Sequence, residues 1–158
     1  KEGVENYMIL IGGEVVVKGV NQNGVCWRTG INLPEDDPDG IKNNYDEIVQ
    51  LCKKGAIATS GNYRNFYIKD GKKYAHTIDP RTGYPAEQSV LSATIVANDC
   101  MTADAYATAF MAMGLEKARQ MADSLPEIEY YVIYADENGK HQIEYSKGML
   151  QYLPKRKQ

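Results

Sequence analysis

The stretch VLSATIVANDCMTADAYATAFMAMG, residues 90–114, contains the change of pattern that decides the fold. Its first eight residues, 90–97, are apolar and β-rich, which predicts a buried strand. Residues 102–113 are dense in alanine and methionine and contain no glycine or proline, which predicts a helix. A second helical segment, residues 115–125, follows and ends before Pro126.

Most of the remaining sequence predicts strands. Short apolar runs between turn signals lie at residues 7–11, 14–20, 25–31, 47–51, 56–59, 130–134 and 141–145. The cluster Asn21-Gln22-Asn23-Gly24 predicts a hairpin between the second and third runs, and Asp70-Gly71 predicts a hairpin between residues 66–68 and 73–76. Because the helices are grouped late and do not alternate with strands, we predict an α+β fold with an antiparallel β-sheet packed with a few helices.

Size and charge narrow the class of protein. The chain has 158 residues, which suits one domain with its own hydrophobic core. It carries 18 basic and 21 acidic residues, and this mild net charge of -3 argues against a nucleic-acid-binding protein. No apolar run approaches the length of a membrane-spanning helix. We predict one folded unit over residues 1–153 and a disordered basic tail over residues 154–158.

The three cysteines, Cys26, Cys52 and Cys100, form no CxxC pair and no spacing typical of a metal site. Because their number is odd, they cannot all be paired within the chain. We therefore predict isolated cysteines, reduced or buried. Cysteine content then gives no indication of the cellular compartment.

The predicted helix carries a polar pair. Asp104 and Thr108 are four residues apart and so share one helix face, where neighbouring alanines leave room for a ligand. A carboxylate and a hydroxyl are hard oxygen donors suited to Mg²⁺ or Ca²⁺. Helix capping explains the same residues, with Thr102 as the N-cap, Asp104 in the first turn and Thr108 bonded back to a carbonyl. Spacing alone favours capping.

Two other segments contain residue types that bind or activate ligands. His76 ends a predicted strand and begins a stiff loop in which Asp79 accepts backbone hydrogen bonds. A histidine can act as a general base near neutral pH. Residues 58–64 end a strand in hydroxyl and glycine residues, which let a ligand approach the backbone, and Arg64 can bind a phosphate with two hydrogen bonds. Taken alone, the second segment is explained as well by an ordinary turn with a surface arginine, and for a lone histidine a structural role in an ordinary loop is the favoured interpretation.

Four segments, taken in order, resemble a known family. They are IGGEVVVKG from Ile11, ATSGNYRNFY from Ala58, KYAHTIDPRTGYP from Lys73 and TADAYATAFMAMG from Thr102. The first is no Rossmann or P-loop motif, because it lies between predicted strands rather than opening a helix. Together, over residues 7–134, they resemble the ApbE family of flavin transferases. The resemblance implies an ApbE/T-fold-like domain that moves FMN from FAD onto a threonine of another protein.

The resemblance also implies roles for individual residues. In the family, the aspartate and threonine of the last segment bind Mg²⁺, which implies that Asp104 and Thr108 are metal ligands. The histidine before IDPRTG lies near the reacting phosphates, which implies that His76 is catalytic. The residues expected to bind FAD are Ser60, Gly61, Arg64, Ile78 and Asp79.

The implied reaction is attack of a threonine hydroxyl on the FMN phosphorus of FAD, with AMP as the leaving group. The expected partners are therefore FAD and an acceptor protein with a threonine to be flavinylated, and no nucleic acid. Two alternatives stay open. An FAD pyrophosphatase would use water and release FMN and AMP, and a non-catalytic flavin-binding fragment would do neither.

Members of the family are longer and carry an upstream GAxAKG-like segment that helps to bind FAD and metal. This sequence contains no such segment, so we expect an incomplete domain that binds FAD weakly by itself. Family members are commonly exported by bacteria and often carry a lipid anchor. The resemblance thus implies an extracytoplasmic location, with membrane contact only through a lipid anchor outside this chain.

Overall fold

The computed structural model describes residues 3–35, 44–63, 77–84 and 89–154, together with the backbone of 66–69 and 72–75. The strands are β1 (Tyr7–Ile11), β2 (Glu14–Gly19), β3 (Trp27–Asn32), β4 (Tyr45–Leu51), β5 (Lys53–Gly61), β6 (Phe66–Lys69), β7 (Lys72–Ala75), β8 (Val90–Ala97), β9 (Glu129–Ala135) and β10 (His141–Tyr145). The helices are α1 (Cys100–Met113), α2 (Leu115–Ala122) and a 3₁₀ helix (Lys147–Tyr152).

A central sheet of six strands has the order β1-β2-β5-β8-β9-β10, and each neighbouring pair is antiparallel. Two further antiparallel ribbons, β3–β4 and β6–β7, lie outside it. The predicted α+β fold with an antiparallel sheet and a few helices is confirmed. β8 is the most buried strand because both of its faces are covered, as its continuous apolar sequence predicts.

The two helices cover one face of the central sheet. α1 buries Ala103, Ala107, Phe110 and Met111 against small and branched residues of the sheet, which include Ala58, Ala93 and Ile95. Alanines on both sides of this contact allow the helix axis to approach the strands closely. This close approach positions the outer face of α1 beside the end of β5.

The β3–β4 ribbon and the 3₁₀ helix cover the opposite face. Their core residues, among them Ile31, Val49 and Met149, pack against Val15 and Val17 of β2. β2 alternates buried and half-buried residues, the pattern of a strand with one face toward a core. The sheet is therefore the middle of three layers.

The predicted hairpin between β2 and β3 is wrong. β2 pairs with β1 through the two-residue turn Gly12-Gly13, whose φ angles of 70° and 119° are of the kind that tight hairpins need. Asn21 and Gly24 do form a turn, in which the Gly24 N–H donates to the Asn21 carbonyl. That turn leads the chain out of the sheet and into the ribbon, where β3 pairs with β4. The predicted pairing of β6 with β7 is confirmed.

The prediction of isolated cysteines is wrong for two of the three. Cys26 and Cys52 form a disulfide with a Cα–Cα distance of 4.6 Å, and Cys100 is free. The disulfide directly follows the cross-strand pair Trp27 and Leu51, so it closes the end of the β3–β4 ribbon. The pairing depends on this strand register, which cysteine spacing does not reveal.

The segment predicted as the second helix ends earlier than its sequence suggested. α2 ends at Ala122, where the Ser124 hydroxyl donates to the carbonyl of Met121 and competes with the helical pattern. Among the described residues, no helix combines the length and apolar character needed to cross a membrane. Of the predicted basic tail, residues 155–158 lie outside the described residues.

Candidate functional site

A cavity of about 350 Å³ opens at the end of the central sheet where β2 begins and β5 ends. Its volume is in the range of small-molecule sites. Four parts of the fold line it: the β1–β2 turn, the ribbon strand β3, the end of β5 and helix α1. The lining residues are Gly12, Gly13, Glu14, Gly30, Asn32, Thr59, Ser60, Gly61, Tyr63, Asp104 and Thr108.

Helix α1 begins one turn before the polar pair that faces the cavity. Its N-cap is Asp99, whose carboxylate accepts hydrogen bonds from the backbone N–H of Thr102 at 2.9 Å and from its hydroxyl at 3.0 Å. These bonds lower the pKa of Asp99. The capping interpretation therefore fails, because Asp99 rather than Thr102 is the cap and Asp104 lies beyond the first turn.

Asp104 and Thr108 project into the cavity as the i, i+4 spacing predicts. The Thr108 hydroxyl lies 3.1 Å from the Ser60 hydroxyl, and among the described residues it has no hydrogen bond back to a carbonyl of its own helix. Asp104 is exposed and has no hydrogen bond or ion pair with the described part of the chain. A carboxylate and a hydroxyl thus lie side by side, with the carboxylate available to a ligand.

The β1–β2 turn supplies a second carboxylate. A side chain at Gly12 would place its Cβ 2.8 Å from a carboxylate oxygen of Glu14, so the Glu14 side chain lies back over the turn. The Gly12 φ of 70° also favours glycine. The turn therefore presents bare backbone and one carboxylate to the cavity.

The end of β5 forms another wall of the cavity, beside the turn. A Cβ at Gly61 would lie 2.3 Å from the ring of Tyr63, so this aromatic ring packs directly on the glycine. The preceding hydroxyls point to opposite faces of the sheet: Thr59 bonds to Thr94 at 2.8 Å, whereas Ser60 bonds to the helix. The wall is thus glycine backbone flanked by hydroxyls and one aromatic ring.

The cavity has a negative electrostatic character. Glu14 and Asp104 both line it, and among the described residues no basic side chain does. The same two carboxylates line an adjoining groove with Ile9, Ile11 and Cys100. Burial raises the pKa of the Cys100 thiol, and the nearby carboxylates, Glu14 and Asp104 among them, raise it further. Such a site attracts a cation more readily than a bare phosphate.

The donor set fits a hard divalent cation. Carboxylate and hydroxyl oxygens are the side-chain ligands of Mg²⁺, which keeps several waters or takes substrate oxygens for the rest of its shell. No group of three or more His, Cys, Asp or Glu side chains is placed to hold a metal within the described residues. A zinc-type site of nitrogen and sulfur ligands is therefore a poorer fit to Asp104 and Thr108.

The IDPRTG loop contains a carboxylate that is already satisfied. Asp79 accepts from the Arg81 backbone N–H at 2.9 Å and from the guanidinium at 3.0 and 2.6 Å. These bonds, the side-chain bond first, lower the pKa of Asp79 to about 2. The Asp79 N–H donates to the Tyr84 carbonyl, and the Asp79 carbonyl accepts from Thr82 and Gly83. The prediction of a well-built turn around Asp79 is confirmed.

The structure brings together four of the residues predicted to form the site. Ser60, Gly61, Asp104 and Thr108 line one cavity. Ile78 is half-exposed and Asp79 is buried, and neither belongs to the lining of this cavity. His76 and Arg64 lie outside the residues whose side chains are described, so their roles stay predictions.

Sequence reasoning missed several lining residues, chiefly Glu14, Gly30, Asn32 and Tyr63. For two of them a signal existed. Gly30 interrupts an otherwise regular strand, which often marks the close approach of another group. Glu14 follows a two-glycine turn, which exposes backbone to a ligand. Asn32 and Tyr63 carried no comparable signal.

Comparisons with known proteins show the family of the chain. The ApbE family model matches residues 1–132. The FAD:protein FMN transferase of Vibrio cholerae is 45% identical over 123 residues, which make up 78% of this chain and 35% of that protein. The FAD:protein FMN transferase of Escherichia coli K12 is 38% identical over 121 residues, which make up 77% of this chain and 33% of that protein.

Solved structures give the same result for the fold. The flavin transferase ApbE of Vibrio cholerae has a TM-score of 0.79 and 39% identity, over 96% of this chain and 46% of that one. The ApbE protein of Thermotoga maritima has a TM-score of 0.76 and 31% identity, over 94% of this chain and 45% of that one. The chain spans about a third of the length of the curated relatives it matches.

Proposed function

Since the chain belongs to the ApbE family, we propose that the full-length protein is an FAD:protein FMN transferase, which moves FMN from FAD onto a threonine of an acceptor protein. The observation that carries the proposal is the cavity at the end of the sheet. There Asp104, Thr108 and Ser60 line the same cavity as the backbone of Gly12, Gly13 and Gly61. Hard oxygen donors beside bare backbone suit a metal-bound pyrophosphate.

A cation is needed because the cavity and the proposed substrate are both negative. The pyrophosphate of FAD would be repelled by Glu14 and Asp104, and no basic side chain of the described residues lines the cavity to offset them. Asp104 and Thr108 would hold Mg²⁺. When bound, the ion supplies neutralisation of charge on the pyrophosphate and on the leaving phosphate.

The residues of the chain then have separate tasks. The backbone at Gly12, Gly13 and Gly61 allows the substrate to come close, and the Ser60 hydroxyl can donate a hydrogen bond to it. The threonine oxygen of the acceptor forms a bond to the FMN phosphorus, and the bond from that phosphorus to the AMP oxygen breaks. His76 takes the threonine proton as general base.

The IDPRTG loop would contribute to substrate binding through its fixed backbone conformation. Asp79 is occupied by Arg81, so it acts on the substrate through the loop rather than by direct contact. The loop leaves Ile78 and Tyr84 exposed, at 48% and 74%, and available to an apolar surface such as the flavin ring. Arg64 would bind a phosphate oxygen of FAD.

The experiment that tests the proposal is incubation of the full-length protein with FAD and Mg²⁺, with and without an acceptor protein. A transferase adds the mass of one FMN less one water to the acceptor and releases AMP only when the acceptor is present. Equal release of FMN and AMP without an acceptor would instead identify a pyrophosphatase. Binding of FAD without any product would identify a flavin-binding protein and contradict the proposal.

The disulfide supports a location outside the cytoplasm. Disulfides persist in oxidising compartments and are rare where thiols are kept reduced. We propose that the protein works at the extracytoplasmic face of a bacterial membrane, attached if at all by a lipid anchor outside this chain. Labelling with a maleimide should find one reactive thiol in the denatured, unreduced protein, at Cys100, and three after reduction. Three thiols before reduction would contradict the location.

A further inference from the structure

We propose that Ser60 is a positioning residue that acts through Thr108: its hydroxyl accepts a hydrogen bond from the Thr108 hydroxyl and so directs the Thr108 oxygen toward a divalent cation. The proposal rests on the metal site proposed above at Asp104 and Thr108, and it adds a role that direct contact with FAD would not explain. The basis is the distance of 3.1 Å between the two hydroxyl oxygens.

This contact joins two elements that are distant in sequence. Ser60 is the penultimate residue of β5, and Thr108 lies in the middle of α1. Both line the same cavity. The sheet therefore holds the side chain of a proposed metal ligand that the helix supplies, which is how supporting residues keep a ligand in place.

Alanines make the contact possible. Ala58 lies two residues before Ser60 on the same face of β5, and it is buried in one cluster with Ala103 and Ala107 of α1. Side chains this small let the helix lie close to the strand, so that two short hydroxyl side chains can meet. The contact is a consequence of how the helix is packed and does not depend on a flexible side chain.

The direction of the hydrogen bond follows from the proposed metal site. A hydroxyl has one proton to donate and two lone pairs to accept with. If a lone pair of Thr108 binds a cation, its proton must be donated elsewhere. The Ser60 oxygen is the acceptor in place, since Thr108 has no other hydrogen-bond acceptor for its hydroxyl within the described part of the chain. The Ser60 proton is then free to point into the cavity toward a substrate oxygen.

The proposal can be tested without an activity assay by titrating the full-length protein with Mn²⁺ alone. Electron paramagnetic resonance measures the free ion and so gives the Mn²⁺ affinity. Loss of a supporting partner typically lowers metal affinity about 10–100-fold. We expect that range for Ser60→Ala, with an unchanged Tm. Ser60→Thr keeps the hydroxyl and should restore most of the affinity. Ser124→Ala removes a hydroxyl that follows α2, away from the cavity, and should leave the Mn²⁺ affinity unchanged.

A second readout separates positioning from substrate contact. With Ser60→Ala, the Mg²⁺ concentration that gives half-maximal flavin transfer should rise by a similar factor. If Ser60→Ala instead lowers FAD affinity and leaves Mn²⁺ affinity unchanged, Ser60 contacts the substrate and the proposal is overturned.

Asp104→Asn distinguishes failure of the proposal from failure of the metal site. If Asp104→Asn loses Mn²⁺ affinity and Ser60→Ala does not, the metal site stands and the role of Ser60 is wrong. If Asp104→Asn binds Mn²⁺ as the wild type does, the metal site itself is wrong, and the role of Ser60 falls with it. Equal loss of affinity in Ser60→Ala and Ser60→Thr with a lowered Tm would show a packing role only.

Discussion

Asp79 and Asp104 are carboxylates in opposite settings. Asp79 is 7% exposed, and Arg81 occupies both of its oxygens. Asp104 is exposed at the edge of a cavity and has no hydrogen bond or ion pair with the described part of the chain. Both belong to segments that resemble motifs of the ApbE family, so membership in a motif does not by itself reveal what a residue does.

The difference between Asp79 and Asp104 shows how a carboxylate with a structural role can be distinguished from one that can bind a ligand. A buried carboxylate must be paired, and once its oxygens are occupied it fixes the backbone around it. An unpaired carboxylate at a cavity keeps its full capacity for a ligand. Asp79 therefore holds the Ile78–Tyr84 backbone, whereas Asp104 is the carboxylate that we propose as a cation ligand. The predictions below test this division.

The largest effect is expected from Asp104→Asn in the full-length protein. The amide keeps the shape of the side chain but loses the charge that we propose binds Mg²⁺, so Mg²⁺-dependent flavin transfer should be abolished. Tm should not change, because Asp104 is neither the N-cap of α1 nor paired with a described residue. The measurements are FMN incorporation into the acceptor and thermal unfolding.

Asp123→Asn is the matched control for that substitution. Asp123 is exposed at the end of α2 and does not line the cavity, so flavin transfer should be unaffected. Normal flavin transfer by Asp104→Asn would show that Asp104 is not a metal ligand. The proposed division between a structural Asp79 and a ligand-binding Asp104 would then be wrong.

The next effect concerns the histidine immediately before the Asp79 loop. General-base catalysis typically contributes about 10²–10⁴-fold in rate, and His76→Ala should lower the rate of transfer by that range while FAD affinity changes little. His141 is exposed at the start of β10 and outside the cavity, so His141→Ala should have almost no effect. Loss of FAD affinity with an intact rate would make His76 a binding residue instead.

A smaller effect on activity but a clear one on stability is expected from Arg81→Ala. The substitution removes the guanidinium that satisfies Asp79, so a nearly buried carboxylate loses its main partner and Tm should fall. Mn²⁺ affinity at Asp104 should be retained. A stable Arg81→Ala protein that has lost Mn²⁺ would show that the two carboxylates are not independent.

The smallest effect is a pH dependence. The pKa of Asp79 is about 2, below its ordinary value of 3.8, because of the hydrogen bonds from Arg81. A lowered pKa contributes stability at pH values above the ordinary pKa, and this contribution is lost as pH falls from about 4 to about 2. The Tm of wild type should therefore approach that of Asp79→Asn over this window. A constant difference would contradict the pairing.

Local patterns predicted the elements well. The strand at residues 90–97 and the start and end of β1 agree with the structure, because short apolar runs between polar or turn residues leave few alternatives. Pairing was harder to predict. A turn at residues 21–24 exists, yet β3 follows it into another layer, because a local turn does not determine which strands meet over longer distances.

The site was predicted only in part, because sequence patterns reveal local spacing and not which elements meet in the fold. Asp104 and Thr108 share a helix face, so their proximity follows from spacing. Their neighbours Ser60 and Glu14 come from other elements, and only the packing of α1 on the sheet brings them together. The family resemblance supplied Ser60 and Gly61, whereas Asn32 and Tyr63 required the structure.

The disulfide between Cys26 and Cys52 makes a closed covalent ring of the chain between them. This ring includes β3 and β4, and with them the cavity residues Gly30 and Asn32. A protease that cuts one peptide bond between these cysteines opens the ring but does not separate the two pieces. The nicked protein would run as one band on a non-reducing gel and as two after reduction, so Gly30 and Asn32 stay covalently tied to the rest of the chain after such a cut.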